Sequence, residues 1–292
     1  MTIFSPVAVG GVGGSGTRVI AQFLGRLGYF MGHDLNEAVD NLGFTLLFKR
    51  FEIIETSESE FDTLLDIFSR AMRGADRQWS DLDREIILAA ASKERLPQHT
   101  LSWLQARALN LLSVPLVENP RKLWGWKEPN THLVLDRLLT RMPELRYIHV
   151  RRNGFDMACS RNQNQPRLWG KFLMGQEVSG ECSPRHSLKY WCAAERRVER
   201  IVKSAQGRQG FHIVDYDNLC TDTRTEWLRL LRFFDISASS EFLDELVSII
   251  KPPASIGRHR LLDMAQFDPD DVAYARSLEI NPPRARAIKP PS

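Results

Sequence analysis

The sequence predicts an α/β protein, a parallel sheet flanked by helices. Three observations carry this. Short apolar runs of strand length alternate with amphipathic stretches at helical spacing, the pattern of βαβ units. A glycine-rich turn joins the first apolar run to the first amphipathic stretch. The chain is 43% hydrophobic and 26% charged, the balance of a buried core under a solvated surface.

Residues 7–9 read as a short buried strand. VIAQFLGRL (19–27) carries apolar residues at helical spacing and reads as the first helix. Residues 34–120 read as a helical insertion, clearest at FDTLLDIFSRAM (61–72) and LSWLQARALNLL (101–112). Strand-like runs return at KLWGW (122–126), RYIHV (146–150) and FHIVDY (211–216). Helical patterns separate them: THLVLDRLLTRM (131–142), with Thr131 as the expected cap, and RHSLKYWCAAERRVERIV (185–202). The proline- and arginine-rich tail, about 251–292, is expected to be irregular. Residues 1–292 are expected to form one domain carrying the insertion.

Charge and cysteine usage narrow the function classes. With 39 basic and 36 acidic side chains, a net charge of +3 does not point to nucleic acid as a partner. Four cysteines without a C-x-x-C spacing read as free thiols of a reducing compartment, so a cytoplasmic location is expected. No apolar run approaches the ~18 residues of a membrane span. The start of the chain is a poor signal peptide, because no basic region precedes its apolar stretch. No carboxylate cluster has metal-binding spacing, and no metal is expected.

The turn itself is GGVGGSGTR (10–18). Its glycines let the backbone adopt positive φ and approach a ligand closely. Ser15, Thr17 and the free N–H groups at the helix start converge on one place, which favours an anion. Three phosphate loops compete. An ATP or GTP loop needs Lys and Ser/Thr after the last glycine, but Thr17 and Arg18 stand there. A dinucleotide loop fits Gly11-x-Gly13-x-x-Gly16, with Asp34 about twenty residues on. The third holds a nucleotide that ends in a sulfuryl group. The loop alone does not choose among them.

The strand RYIHV runs into RRNGFDMACSRNQ (151–163). Ligands of open α/β sheets sit outside the carboxyl ends of the strands. Arg152 there is placed to fork onto a phosphate, and Ser160 lies eight residues on, two turns into an expected helix.

Together these elements resemble the sulfotransferases that use 3′-phosphoadenosine 5′-phosphosulfate. GGSGT (13–17) matches the family's 5′-phosphosulfate loop, and RNGFDMACS (152–160) matches its 3′-phosphate element. HIVDYDNLCTDTRTEWLRLLRFFDI (212–236) resembles the family's Tyr-Glu-Asp-Leu strand end and following helix. KPPASIGRHR (251–260) resembles its C-terminal Gly-Arg segment. WGWKEPN (124–130) is similar to the Lys-Glu/Asp-Pro turn of the bacterial and tyrosylprotein-type branch. The resemblance covers about half the chain and implies a P-loop-like fold. It implies nucleotide binding by Gly13, Gly14, Ser15, Gly16, Thr17, Arg18, Arg152, Ser160, Tyr216, Gly257 and Arg258.

One departure matters. Many members carry Lys or Arg before the loop serine, where this chain has Gly14. Lys127 is the first candidate to replace that cation, and Arg18 the second. Transfer to an acceptor hydroxyl also needs a base. GHDLNEAVD (32–40) offers Asp34, Glu37 and Asp40, and the tyrosylprotein-type branch favours Glu37 or Asp34; Glu128 and His132 are rivals beside Lys127. Two other classes compete: an NAD(P)-dependent oxidoreductase built on the glycine fingerprint, and a non-catalytic module that binds phosphate or sulfate. The expected partners are the nucleotide co-substrate and an unidentified acceptor.

Overall fold

The computed structural model describes residues 5–74, 78–92, 99–115, 117, 119–204 and 210–279. Four parallel strands form the sheet, in the order β2-β1-β3-β4. They are β1 (Val7–Gly11), β2 (Gly125–Lys127), β3 (Arg146–Arg151) and β4 (Phe211–Asp215). Register places Val9 opposite both Lys127 and Ile148. The α/β class expected from alternating patterns is therefore present.

The chain divides into two compact units. The first comprises Met1–Val150 with Val198–Ile213. In it, β1 is buried throughout, as its uninterrupted apolar run requires of a strand covered on both faces. Helix α1 (Thr17–Arg26) buries Ile20, Ala21, Phe23 and Leu24. The expected helical insertion holds α2 (Leu42–Phe48), α3 (Glu58–Arg73), α4 (Asp81–Ala89) and α5 (Leu101–Leu112). Each begins at a side-chain cap, Asn41, Ser57, Ser80 and Thr100, which accepts from an otherwise unpaired N–H. An aromatic cluster ties this block to β2: the rings of Phe44 and Phe68 lie 5.5 and 5.3 Å from that of Trp126. Such pairs add about 0.5–1.5 kcal/mol each beyond burial.

Two local expectations shift here. The helix expected over 131–142 begins as a 3-10 turn (Pro129–Leu133), and α6 spans only Leu135–Arg141. Thr131 is not its cap. Its hydroxyl donates to the Glu128 carbonyl and accepts from the Trp126 indole. The strand expected over 122–126 is displaced to Gly125–Lys127, so that Lys127 ends β2 rather than following it.

The second unit comprises Arg151–Arg197 with Val214–Ser292. It contains α7 (Gly154–Ala158), α8 (Asn164–Met174), most of α9 (Pro184–Ser204), α10 (Tyr216–Thr221), α11 (Thr223–Phe233), α12 (Ser240–Ile249) and α13 (Pro269–Ser277). The buried Glu195 of α9 accepts from Arg151 at 2.9 Å. The Trp227 indole of α11 donates to the Leu246 carbonyl of α12. The tail is less irregular than its composition predicts. Asp268 caps α13 and Pro269 takes the first helical position, where the missing N–H costs nothing. Residues 280–292 of that expected tail lie outside the described residues. Among the described residues no helix is long and apolar enough to cross a membrane.

Candidate active site

In the first unit, the glycine loop leaves β1 and becomes the start of α1. Gly14 and Gly16 have φ of 97° and 98°. A side chain is strained in that region, so the fold itself disfavours a lysine or arginine at position 14. Gly16 is the residue from which α1 departs, and no side chain caps the helix. Thr17 is buried as its first residue. Ser15 is 1% exposed, and its Oγ meets no hydrogen-bond partner among the described residues. A buried hydroxyl without a partner costs about 1–3 kcal/mol. At an uncapped helix N-terminus, an anion oxygen is the group that would accept from it. The loop residues present therefore fit a phosphate or sulfate. Arg18, one residue into the helix, is exposed.

Lys127 ends β2 opposite Val9 of β1, and its side chain is only 3% exposed. Its Nζ donates to Asp40 Oδ1 at 2.5 Å and to the Ala38 carbonyl at 3.0 Å. The Asn41 N–H donates to the Lys127 carbonyl, binding the 34–41 loop to the strand end. Within this loop the Asn36 side chain accepts from the N–H groups of Ala38 and Asp40 and donates to Asp40 Oδ2 at 2.9 Å. Val39 holds φ of 62°, an unusual conformation for a β-branched residue. Such a residue stores about 1–3 kcal/mol of strain that its surroundings must offset.

The carboxylates named from sequence differ sharply in surroundings. Asp34 is engaged by Arg107 at 3.1 Å and Asn110 at 2.9 Å. Glu37 is exposed. Glu128 is 1% exposed, accepting from Asn130 and pairing with Lys49 at 3.2 Å, which makes it a support of the turn after β2. His132 is buried with Nδ1 2.8 Å from the Pro129 carbonyl. Asp40, the third acid of the loop, is the one in contact with Lys127.

In the second unit, a cavity of about 270 Å³ opens among the segments 151–156, 215–221, 256–260 and 275–279, with Trp191 of α9. Arg152 lines it, 7% exposed, donating to Ser255 Oγ at 2.8 Å with its guanidinium 5.7 Å from the Tyr216 ring. Carboxylates balance the cations. Burial pushes Asp215 and Asp217 up from the ordinary aspartate range; the Glu226 carboxylate raises Asp215 further, and Asp215 does the same to Asp217. The N–H groups of Asn218 and Asn153, donating to them, act in the opposite direction. Burial pushes the Tyr216 phenol up to about 12, and its neighbour Cys220 adds to the shift.

Asp156 organises the wall. It is 1% exposed and accepts from the Gly257 N–H at 2.7 Å, the His259 N–H at 3.0 Å and His259 Nδ1 at 2.7 Å. The Arg258 guanidinium donates to the Asp156 carbonyl, so it pins the segment, and Arg260 lines the cavity in its place. Ser160 stands outside α7, which stops at Ala158, and its Oγ accepts from the Asn162 N–H. Tyr216 begins α10, packed under Arg152, and neither it nor Ser160 is among the lining residues. Trp191 and Asp156 escaped the sequence reading, and Asp217 entered it only as part of the strand-end motif, without a site role. Asp217 had a signal in its place after Tyr216, but Trp191 on an amphipathic helix looks like any core residue.

A family model described as "Sulfotransferase family" matches residues 6–240. No curated protein matches. Among solved structures the chain is similar to the sulfotransferase domain of the Synechococcus PCC 7002 olefin synthase, at 15% identity and TM-score 0.49, covering 96% of this chain and 95% of that one. It is also similar to a sulfotransferase from Mycobacterium avium, at 15% identity and TM-score 0.48, covering 97% and 79%. These likenesses are distant, and the assignment rests on the family model, which spans most of the sequence from the start of the glycine loop strand through α11: the chain belongs to the sulfotransferase family.

Proposed function

We propose that this sulfotransferase takes its sulfuryl group from 3′-phosphoadenosine 5′-phosphosulfate and passes it in line to an acceptor hydroxyl or amine. The observation that carries this reading is the buried, unpartnered Ser15 hydroxyl at the uncapped start of α1. The loop would receive the phosphosulfate. Arg152 and the Gly257 segment would receive the 3′-phosphate, as the family resemblance implies.

The acceptor oxygen or nitrogen bonds to sulfur as the bond from sulfur to the bridging phosphate oxygen breaks. The electron pair leaves with 3′,5′-ADP. Negative charge develops on that bridging oxygen, and a preorganised cation or N–H group stabilises it. Gly14 provides no cation, so Lys127 is the candidate for this role. The acceptor proton passes to a base, and Asp40 is the carboxylate best placed for it, because it already touches Lys127. Asp34, already held by Arg107 and Asn110, and exposed Glu37 are second choices.

Calorimetric titration with 3′,5′-ADP, 5′-AMP, ATP and NAD tests the donor. Binding of 3′,5′-ADP well above the others supports it, and preference for NAD returns the dinucleotide reading. Incubation with donor carrying labelled sulfate and a panel of alcohols, phenols, sugars and amines tests transfer. Tight 3′,5′-ADP binding with no labelled product from any acceptor leaves a non-catalytic binding module.

A further inference from the structure

Asn36 is exposed, yet it holds the loop after it with both its backbone and its side chain. Its carbonyl accepts from the Val39 N–H at 2.8 Å, and its own N–H donates to the Asp40 carbonyl at 3.3 Å. Its Oδ1 accepts from the Ala38 and Asp40 N–H groups, both at 2.9 Å, and its Nδ2 donates to Asp40 Oδ2 at 2.9 Å. The loop so shaped presents the Ala38 carbonyl and Asp40 Oδ1, the acceptors of Lys127 Nζ. An ammonium carries three N–H donors. With these two acceptors engaged, the third N–H of Lys127 meets no acceptor among the described residues.

Anchoring two N–H groups stops rotation about the last side-chain bond, so the third points in one direction. The side chain around it is 3% exposed, which leaves the ammonium little water to turn towards. The positive φ of Val39 shows that the loop is held in one shape rather than relaxed, since a strained residue persists only where its surroundings over-determine it. We infer that Asn36 is a positioning residue for sulfuryl transfer: it aims Asp40 at Lys127, and through that pair it fixes the direction of the remaining Lys127 N–H. It acts through Asp40 and Lys127 rather than on the reacting atoms. The inference deepens the reading above and rests on the roles given there to Lys127 and Asp40.

Asn36→Asp separates positioning from loop closure. This variant keeps an oxygen for the Ala38 and Asp40 N–H groups, so the turn is retained, and unchanged amide exchange at those residues records it. It also sets a second oxygen against Asp40 Oδ2, where an N–H donor stood. Asn36→Ala removes both functions. Heteronuclear NMR of protein carrying isotope-labelled lysine reads the Lys127 ammonium, identified by the signal lost in Lys127→Met. That signal should shift or broaden in both Asn36 variants. Affinity for 3′,5′-ADP in calorimetry should stay nearly unchanged, because the aimed N–H acts in the transition state. Single-turnover release of labelled sulfate from the donor, to water or to the acceptor panel above, should fall roughly 10- to 100-fold, the scale on which misplacing a catalytic group is felt. A purely structural Asn36 would leave Asn36→Asp at wild-type turnover, and that result overturns the positioning role. A Lys127 signal unmoved in both variants overturns it as well, whatever the donor. A signal that responds in protein that binds no 3′,5′-ADP overturns the donor reading instead and leaves Asn36 aiming Lys127.

Discussion

Replacing Lys127 with Met separates the structural from the catalytic demand on this buried ammonium. In the free protein, Nζ is held by Asp40 Oδ1 at 2.5 Å and the Ala38 carbonyl at 3.0 Å. Asp40 is only 20% exposed, and Asn36 satisfies its other oxygen. Lys127→Met leaves that carboxylate without its cation. Removing one partner of a fully buried pair costs about 3–5 kcal/mol, and the partial exposure of Asp40 reduces this to roughly half. Adding Asp40→Asn removes the orphaned charge, so the double variant should regain most of the lost stability in chemical denaturation. Turnover should not follow. If Lys127 meets the bridging oxygen as charge develops, Lys127→Met loses about 100-fold in single-turnover transfer of labelled sulfate, about 2.7 kcal/mol of barrier, and the double variant, which also lacks the proposed base, loses at least as much. Affinity for 3′,5′-ADP should stay nearly unchanged, because the interaction is made in the transition state. A Lys127→Met enzyme with wild-type turnover refutes the role, and exposed Arg18 becomes the next residue to test.

Four further outcomes follow from the same geometry. Ser15→Ala should leave the unfolding midpoint unchanged or raise it, since the hydroxyl has no partner, while weakening 3′,5′-ADP roughly 10- to 150-fold; unchanged affinity in calorimetry would remove the loop from the donor site. Arg152→Ala should cost about 1.5–3 kcal/mol of 3′,5′-ADP affinity and leave 5′-AMP unaffected, and equal losses for both would show that Arg152 does not read the 3′-phosphate. Asp156→Asn should loosen the Gly257–His259 segment, seen as faster amide hydrogen exchange there, and unchanged exchange would mean the clamp is redundant. The last concerns pH. The carboxyl of Asp217 is raised in the folded protein, so its contribution to stability is present below the ordinary aspartate range and declines as pH rises through the folded value. Asp217→Asn should therefore raise Tm at pH 7, with the gain shrinking towards about pH 4; a gain that does not vary with pH would contradict burial as the cause.

What the sequence by itself determined was the local part. The buried run 7–9, the glycine turn and the amphipathic stretches specify β1, the loop and helices such as α1, α3, α5 and α9, because backbone freedom and hydrophobic period act over a few residues. They also placed Ser15 in the loop before α1 and Arg152 just past a strand end. Boundaries were harder. The Pro129 turn beginning as a 3-10 helix, the early stop of α7 before Ser160 and the capped α13 each turned on one or two residues whose hydrogen bonds outweighed the apolar pattern. Tertiary structure decided the rest. Lys127 meets Asp40 from 87 residues away, and this contact singles out one of three similar acids in a short loop. The cavity draws on segments near 152, 191, 217, 257 and 278. Whether an oxygen or nitrogen there is satisfied or left waiting depends on which distant backbone groups arrive beside it. No pattern along the chain encodes that, because burial and pairing are properties of the packed surface rather than of the neighbouring residues.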